Sequence, residues 1–222
     1  MYAERRAPAG TVWTRTTSVG AEEIRILPDG CLDVILMDGR LMIAGPDSAG
    51  RLSSSPAGTR YVGLRFDPGV GPAVLGVSAA DLLDRTLPLD DVWPATRVRR
   101  LEDAVAAAPD PGMTLARLVD VGRPDPWVAA TVDGLRRGRP VAAVAAELSL
   151  SERQLHRRSL DAFGYGPKTL ARILRLDRAL TLVRAGTAAA EAAATAGYAD
   201  QPHMAREVRA LSGVPLRGVV RE

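Results

Sequence analysis

Ser149-Leu150-Ser151-Glu152-Arg153-Gln154-Leu155-His156-Arg157 is the stretch on which the reading of this chain turns. Ser151 followed three residues later by Gln154 is the spacing of a capping box. Each side chain there satisfies a backbone N–H that the first turn of a helix leaves unpaired, so a helix starts at Ser151. On that helix Leu155 and Phe163 face inward, while Arg153, His156 and Arg157 share the outward face. Upstream, Val141 to Leu148 carries small and apolar residues at helical spacing. The turn between them contains Ser149, which is strained if its φ is positive, because its Cβ crowds the backbone there. Two short helices on a tight turn, the second presenting Arg and His outward, form a helix-turn-helix. Its second helix can enter the major groove, where Arg pairs with guanine edges.

A long helix follows with Pro167 in its first turn, where the missing N–H costs nothing. Leu170, Ile173, Leu174, Leu180 and Val183 make its apolar stripe, and Gly186 ends it. Arg172, Arg175 and Arg178 lie on its polar face, suited to phosphate contact or to an ordinary solvated surface. After the alanine-dense run Thr187 to Ala196, Asp200 caps a further helix from Gln201 to Leu211. There Gln201, His203 and Arg206 point out and Met204 and Val208 point in, giving a second helix-turn-helix unit.

The N-terminal half reads as strands. Glu23 to Leu27 alternates polar and apolar residues, and Pro28-Asp29-Gly30 turns the chain. From Cys31 to Met37, Leu32, Val34 and Leu36 share one face, while Cys31, Asp33, Ile35 and Met37 share the other. Asp38-Gly39 is a hairpin signal into Leu41 to Gly45, and Tyr61 to Phe66 is a further strand. Helical patterns follow around Val74 to Leu83, from Val98 to Ala108 and from Met113 to Val121. Gly122 to Pro126 is the strongest break, which divides the chain into residues 1–122 and 127–222. Charge divides with it: 14 basic and 17 acidic residues up to 126, against 15 and 9 after it. A basic C-terminal part suits a polyanionic partner.

Composition excludes several classes. The 222 residues contain one cysteine, Cys31, and two histidines, His156 and His203, too few for a disulfide scaffold, a thiolate zinc site or a histidine metal centre. No apolar run of membrane-spanning length is present, and the start of the chain lacks a secretory signal pattern, so a cytoplasmic protein without bound cofactor or metal is expected.

Three segments, Leu150 to Leu155, Phe163 to Lys168 and Ala196 to His203, together with Gly213-Val214-Pro215, resemble the DNA-binding domain of AraC-type (AraC/XylS) transcriptional regulators over the C-terminal ~85 residues. That resemblance implies two helix-turn-helix units bridged by one long helix. It puts base-reading side chains at Arg153, His156 and Arg157 and at Gln201, His203 and Arg206. The sequence departs from the family at Ser149, where glycine is frequent, at Ala189 and Ala192, where larger aliphatics are usual, and at Pro202. Leu27 to Asp33, Ala44-Gly45-Pro46 and Val62 to Gly69 resemble an uncharacterised cupin-like N-terminal domain found on such regulators. The expected fold is α+β: a small β-barrel-like, cupin-like domain with appended helices, then an all-α double helix-turn-helix domain.

Within the barrel, Trp13, Cys31, Asp33 and Arg65 are the candidate effector-binding residues. Each has a plainer alternative. Cys31 is a sensor thiol or a small buried residue, Asp33 and Arg65 pair inside the barrel or on its surface, and Trp13 and Trp93 line a pocket or fill a core. The function expected is sequence-specific, non-enzymatic transcription regulation controlled by a small molecule, with double-stranded DNA as partner and RNA polymerase or a second copy of the chain as further ones. The alternatives are an N-terminal domain that only dimerises or contacts polymerase, and a DNA-repair alkyl acceptor using Cys31.

Overall fold

The computed structural model describes residues 2–8, 10–18, 20, 22–119 and 125–221. Gly122 to Pro124, the centre of the expected boundary, lie outside the described residues, as do Asp120 and Val121 at the end of the expected third helix. Among the described residues there are eight strands: β1 (Tyr2–Ala7), β2 (Gly10–Thr16), β3 (Glu22–Ile26), β4 (Asp33–Met37), β5 (Arg40–Ala44), β6 (Arg51–Ser55), β7 (Arg60–Phe66) and β8 (Thr86–Pro88). Six form an antiparallel sheet in the order β1-β2-β7-β4-β5-β8, and β3 pairs with β6 in a second sheet. The β4–β5 hairpin closes at Asp38 and Gly39, both at positive φ, as the right-handed twist of the flanking strands requires.

The expected two-faced character of β4 decides the architecture. Val34, with Val12, Ile43, Leu64 and Phe66 from neighbouring strands, is buried in a core shared with helices. Those helices are α1 (Gly71–Leu75), α2 (Ala79–Leu82), α3 (Ala95–Ala106) and α4 (Pro111–Leu118). The apolar pattern around Val74 to Leu83 is thus two helices, not one, because Gly76 takes the left-handed conformation that ends α1. Trp93 belongs to this core and donates its indole N–H to the Leu75 carbonyl at 3.1 Å. Asp33, Ile35 and Met37 point to the opposite face of the sheet, where a cavity lies.

The C-terminal region is helical: α5 (Pro126–Arg136), α6 (Val141–Glu147), α7 (Glu152–Phe163), α8 (Pro167–Arg184), α9 (Ala189–Ala196), α10 (Gln201–Ser212) and α11 (Leu216–Arg221). It has a separate core running from Val128 to Val219, in which Leu155, Leu170, Ile173 and Met204 are fully buried. Both reciprocal bonds of the expected capping box are present at Ser151 and Gln154. Ser149 sits at φ 55°. Ser149→Gly is therefore expected to raise stability by about 0.5–1 kcal/mol, since removing Cβ relieves a left-handed strain larger than the entropy glycine adds to the unfolded chain. A urea titration in which the variant has an unchanged or lower midpoint would contradict this.

Candidate DNA interface and ligand cavity

On α7, Arg153, Gln154, His156 and Arg157 are exposed, while Leu155 and Phe163 are buried. The capping box fixes where the helix begins, so it fixes which side the arginines occupy. The imidazole of His156 lies against Gly166: a Cβ built there would come within 2.6 Å of the ring. On α10, Gln201 and Arg206 are exposed and Met204 and Val208 are buried. Asp200 caps this helix by accepting from the His203 N–H at 2.6 Å. Pro202 falls in the first turn, where a proline is tolerated.

His203 departs from the expected outward pose. Its ring meets the edge of Tyr198 with centroids 5.3 Å apart, and its Nδ1 accepts from the Ala199 N–H at 3.3 Å. It is half-buried and holds the turn between α9 and α10.

Glu207 went unnoticed in the sequence and joins the second unit to the long helix. Arg172 Nε reaches Glu207 Oε1 at 2.6 Å, and Arg175 Nε approaches Glu207 Oε2 at 3.6 Å. Arg175 also lies over the Tyr198 ring and donates to the Gly197 carbonyl at 3.4 Å. Two of the three polar-face arginines of α8 are thus committed to orienting α10. Burial and the nearby Glu207 push the Tyr198 phenol up to about 12.

Both outward helices touch the N-terminal half at their C-terminal ends. Ser78 donates to Asp161 at 3.4 Å, and Gly164 sits so close to Pro46 and Ala79 that an added Cβ would crowd both. Arg25 donates to the Ser212 carbonyl at 3.1 Å, a cation at the negative end of the α10 dipole. Gly50 abuts the same residue, with room for no Cβ: one built there would come within 2.6 Å of the Ser212 oxygen. The N-terminal, arginine-bearing ends of α7 and α10 remain in solvent.

The cavity has a volume of about 660 Å³. Strand residues including Trp13, Asp33 and Arg65 form one wall, β3 and β6 another, and Leu176, Asp177, Leu180 and Arg184 of α8 complete it. All four candidate effector residues, Trp13, Cys31, Asp33 and Arg65, line it, and Asp33 and Arg65 pair across β4 and β7 on the cavity side of the sheet. The Trp13 indole covers Gly63, where a Cβ would lie 2.2 Å from the ring, and donates to Asp33 at 2.7 Å. Arg65 Nε lies 3.4 Å from both Asp29 and Asp33. Burial opposes its charge, but the two carboxylates more than offset this and hold the guanidinium above its usual value. Burial raises the Asp33 carboxyl despite Arg65. Cys31 lies just before β4, its N–H bound to Asp29 at 2.8 Å. The fold brings the Arg65 cation near it, but burial and then Asp29 push the thiol well up. A thiol kept protonated is a poor nucleophile and a poor redox sensor.

Paired helices, each on a short turn and each presenting polar side chains from a buried base, define a helix-turn-helix DNA-binding domain. The comparisons agree: the family described as Helix-turn-helix domain matches residues 144–222, and a Domain of unknown function (DUF6597) matches residues 10–88. The chain thus carries a helix-turn-helix domain behind a domain of unknown function. No curated protein matches the sequence significantly. Among solved structures the chain is similar to ToxT from Vibrio cholerae O395, with TM-score 0.46, 10% identity, and coverage of 100% of this chain and 96% of that one. It is also similar to the unsaturated fatty acid bound wild-type ToxT from Vibrio cholerae strain SCE256, with TM-score 0.46, 10% identity, and coverage of 94% and 90%. Among the described residues no helix is long and apolar enough to cross a membrane.

Proposed function

We propose that this protein is a sequence-specific, cytoplasmic transcription regulator. Residues 127–222 bind double-stranded DNA, and residues 1–122 sense a small molecule. The reading is carried by the exposure of the arginine-bearing ends of α7 and α10 above a buried apolar base. Arg153, His156 and Arg157 would read one major-groove segment, and Gln201 and Arg206 the next, about 34 Å along one face of the duplex. His203 would act from the turn that aims α10. A rigid α8 either bends the DNA between these points or leaves one unit loosely engaged.

Effector control is supported by the open cavity with Asp33 and Arg65 facing it, whereas a closed apolar barrel would have favoured a purely dimerising domain or one that only contacts polymerase. Because α8 forms part of the cavity wall, an occupant would touch the helix that spaces the two DNA-reading units. The raised Cys31 thiol argues against an alkyl-acceptor reaction.

The test is selection of binding sites from fragmented genomic DNA with the purified full chain, followed by titration at several salt concentrations. Expected are a bipartite site and an affinity that falls by roughly 10³-fold or more between 50 and 200 mM salt. Enrichment of no common sequence would overturn the reading.

A further inference from the structure

The last turn of α10 is completed by the other half of the chain. A helix leaves its final carbonyls without partners of its own. Gly213, at φ 78°, answers one of them: its N–H donates to the Arg209 carbonyl at 2.9 Å. Two more are answered from far away in the sequence. The Gly50 N–H donates to the Leu211 carbonyl at 2.5 Å, and Arg25 Nη1 to the Ser212 carbonyl at 3.1 Å. Leu211 and Ser212 are 4% and 0% exposed, so carbonyls there are costly to leave unpaired.

Both donors belong to the two-stranded sheet. Arg25 lies on β3 opposite Leu52 of β6, and Gly50 immediately precedes β6. The segment that carries Gly50 is itself braced. The Ser48 N–H and hydroxyl donate to Asp84 at 2.6 and 2.7 Å, and Arg51 Nε lies 2.7 Å from Asp47. Gly50 has a φ outside the left-handed region, so backbone conformation does not call for glycine there. Close approach does. A Cβ at Gly50 would fall 2.6 Å from the Ser212 oxygen and 2.8 Å from its Cα, and these backbone atoms cannot swing aside.

α7 is held otherwise. It starts at the complete capping box and ends on Gly164, whose N–H donates to the Leu160 carbonyl at 3.0 Å. α10 rests on the alanines of α9, which fix its angle with little apolar area. We propose that the N-terminal half caps the second DNA-reading helix, with Gly50 and Arg25 as positioning residues that set where α10 meets the duplex. The proposal rests on the DNA-binding reading above and extends it. The segment of the operator read by α10 is read only with the help of the N-terminal half, whereas the segment read by α7 is not.

The experiment titrates the full chain on three duplexes: the selected operator, and the same operator with one half or the other scrambled. The half read by α10 is the one whose scrambling costs less in Arg206→Ala. In the unmodified chain, scrambling either half is expected to cost about 10- to 100-fold in affinity. In Gly50→Ala the cost of scrambling the α10 half should shrink to about threefold or less, while the cost of scrambling the other half persists. Arg25→Ala should act in the same direction and more weakly. Arg25→Lys, which keeps a donor, should restore most of the discrimination. Circular dichroism confirms that each variant is folded, and if Gly50→Ala does not fold the two Arg25 variants decide the matter. Equal weakening of both halves, the mark of a merely structural role, would overturn the proposal. So would discrimination at the α10 half that neither Gly50→Ala nor Arg25→Ala moves. If the unmodified chain enriches no common sequence, the DNA-binding reading falls and the proposal with it. If it enriches a bipartite site and the variants read both halves as it does, the proposal alone falls.

Discussion

Arg157→Ala is expected to weaken binding to the selected operator by about 10- to 100-fold, the loss of one bidentate base contact at roughly 1–3 kcal/mol. Arg206→Ala should cost less. The difference follows from how firmly each helix is held. α7 starts at a complete capping box and is anchored by Leu155 and Phe163, which are 0% and 1% exposed. α10 packs on α9, whose buried positions are Ala192, Ala193 and Ala196, so little apolar area fixes their crossing. Part of that deficit is met by the Arg172–Glu207–Arg175 cluster. Glu207→Ala should therefore reduce operator affinity although Glu207 is set back from the exposed face, and it should lower the contribution of Arg206 in a double-mutant cycle. Equal losses for Arg157→Ala and Arg206→Ala at one salt concentration would refute the ranking.

Phe163→Ala is expected to destabilise the protein by about 3–5 kcal/mol, the range for removing a buried aromatic ring that leaves a cavity behind. The ring meets Trp127 edge-on with centroids 6.1 Å apart. It also fills the space over Gly69 of the N-terminal half, where an added Cβ would fall 2.5 Å from it. The substitution thus removes a core residue of the helical region and a contact between the two halves. Urea unfolding followed by tryptophan emission should show the midpoint fall, with the transition splitting as the halves uncouple. A loss under ~1 kcal/mol would mean that the surroundings collapse into the vacated space.

The sequence marks elements whose residues do their work locally. The capping box at Ser151, the Asp200 cap, the Asp38-Gly39 hairpin and the two-faced pattern of β4 each depend on neighbours within a few positions, and each is present. β1 was not legible because Tyr2 to Arg6 are exposed and carry no alternation; its strand character comes from pairing along β2. β8 is three residues ending in Pro88 and exists through its pairing with β5. Asp125-Pro126 looked like a break, yet it is the cap and first turn of α5, two roles drawing on the same residue types. Trp13, Cys31, Asp33 and Arg65 could be picked out from strand pattern and side-chain chemistry. Asp177 and Arg184 could not, because on α8 alone they read as a solvated face and only packing against the strands turns them toward a cavity. Glu207 was hidden in the same way, as its partners lie 35 and 32 positions earlier.

The double duty of α8 has an evolutionary consequence. Leu176 and Leu180 line the cavity and also belong to the helical core that supports the DNA-reading helices. Substitutions there cannot retune ligand preference without disturbing the scaffold. A lineage adapting to a new signal is therefore confined to the strand side, at positions such as Ile35, Met37 and Met42, which lie outside that core. Divergence among related chains should accumulate at those strand positions while the helical wall stays nearly fixed.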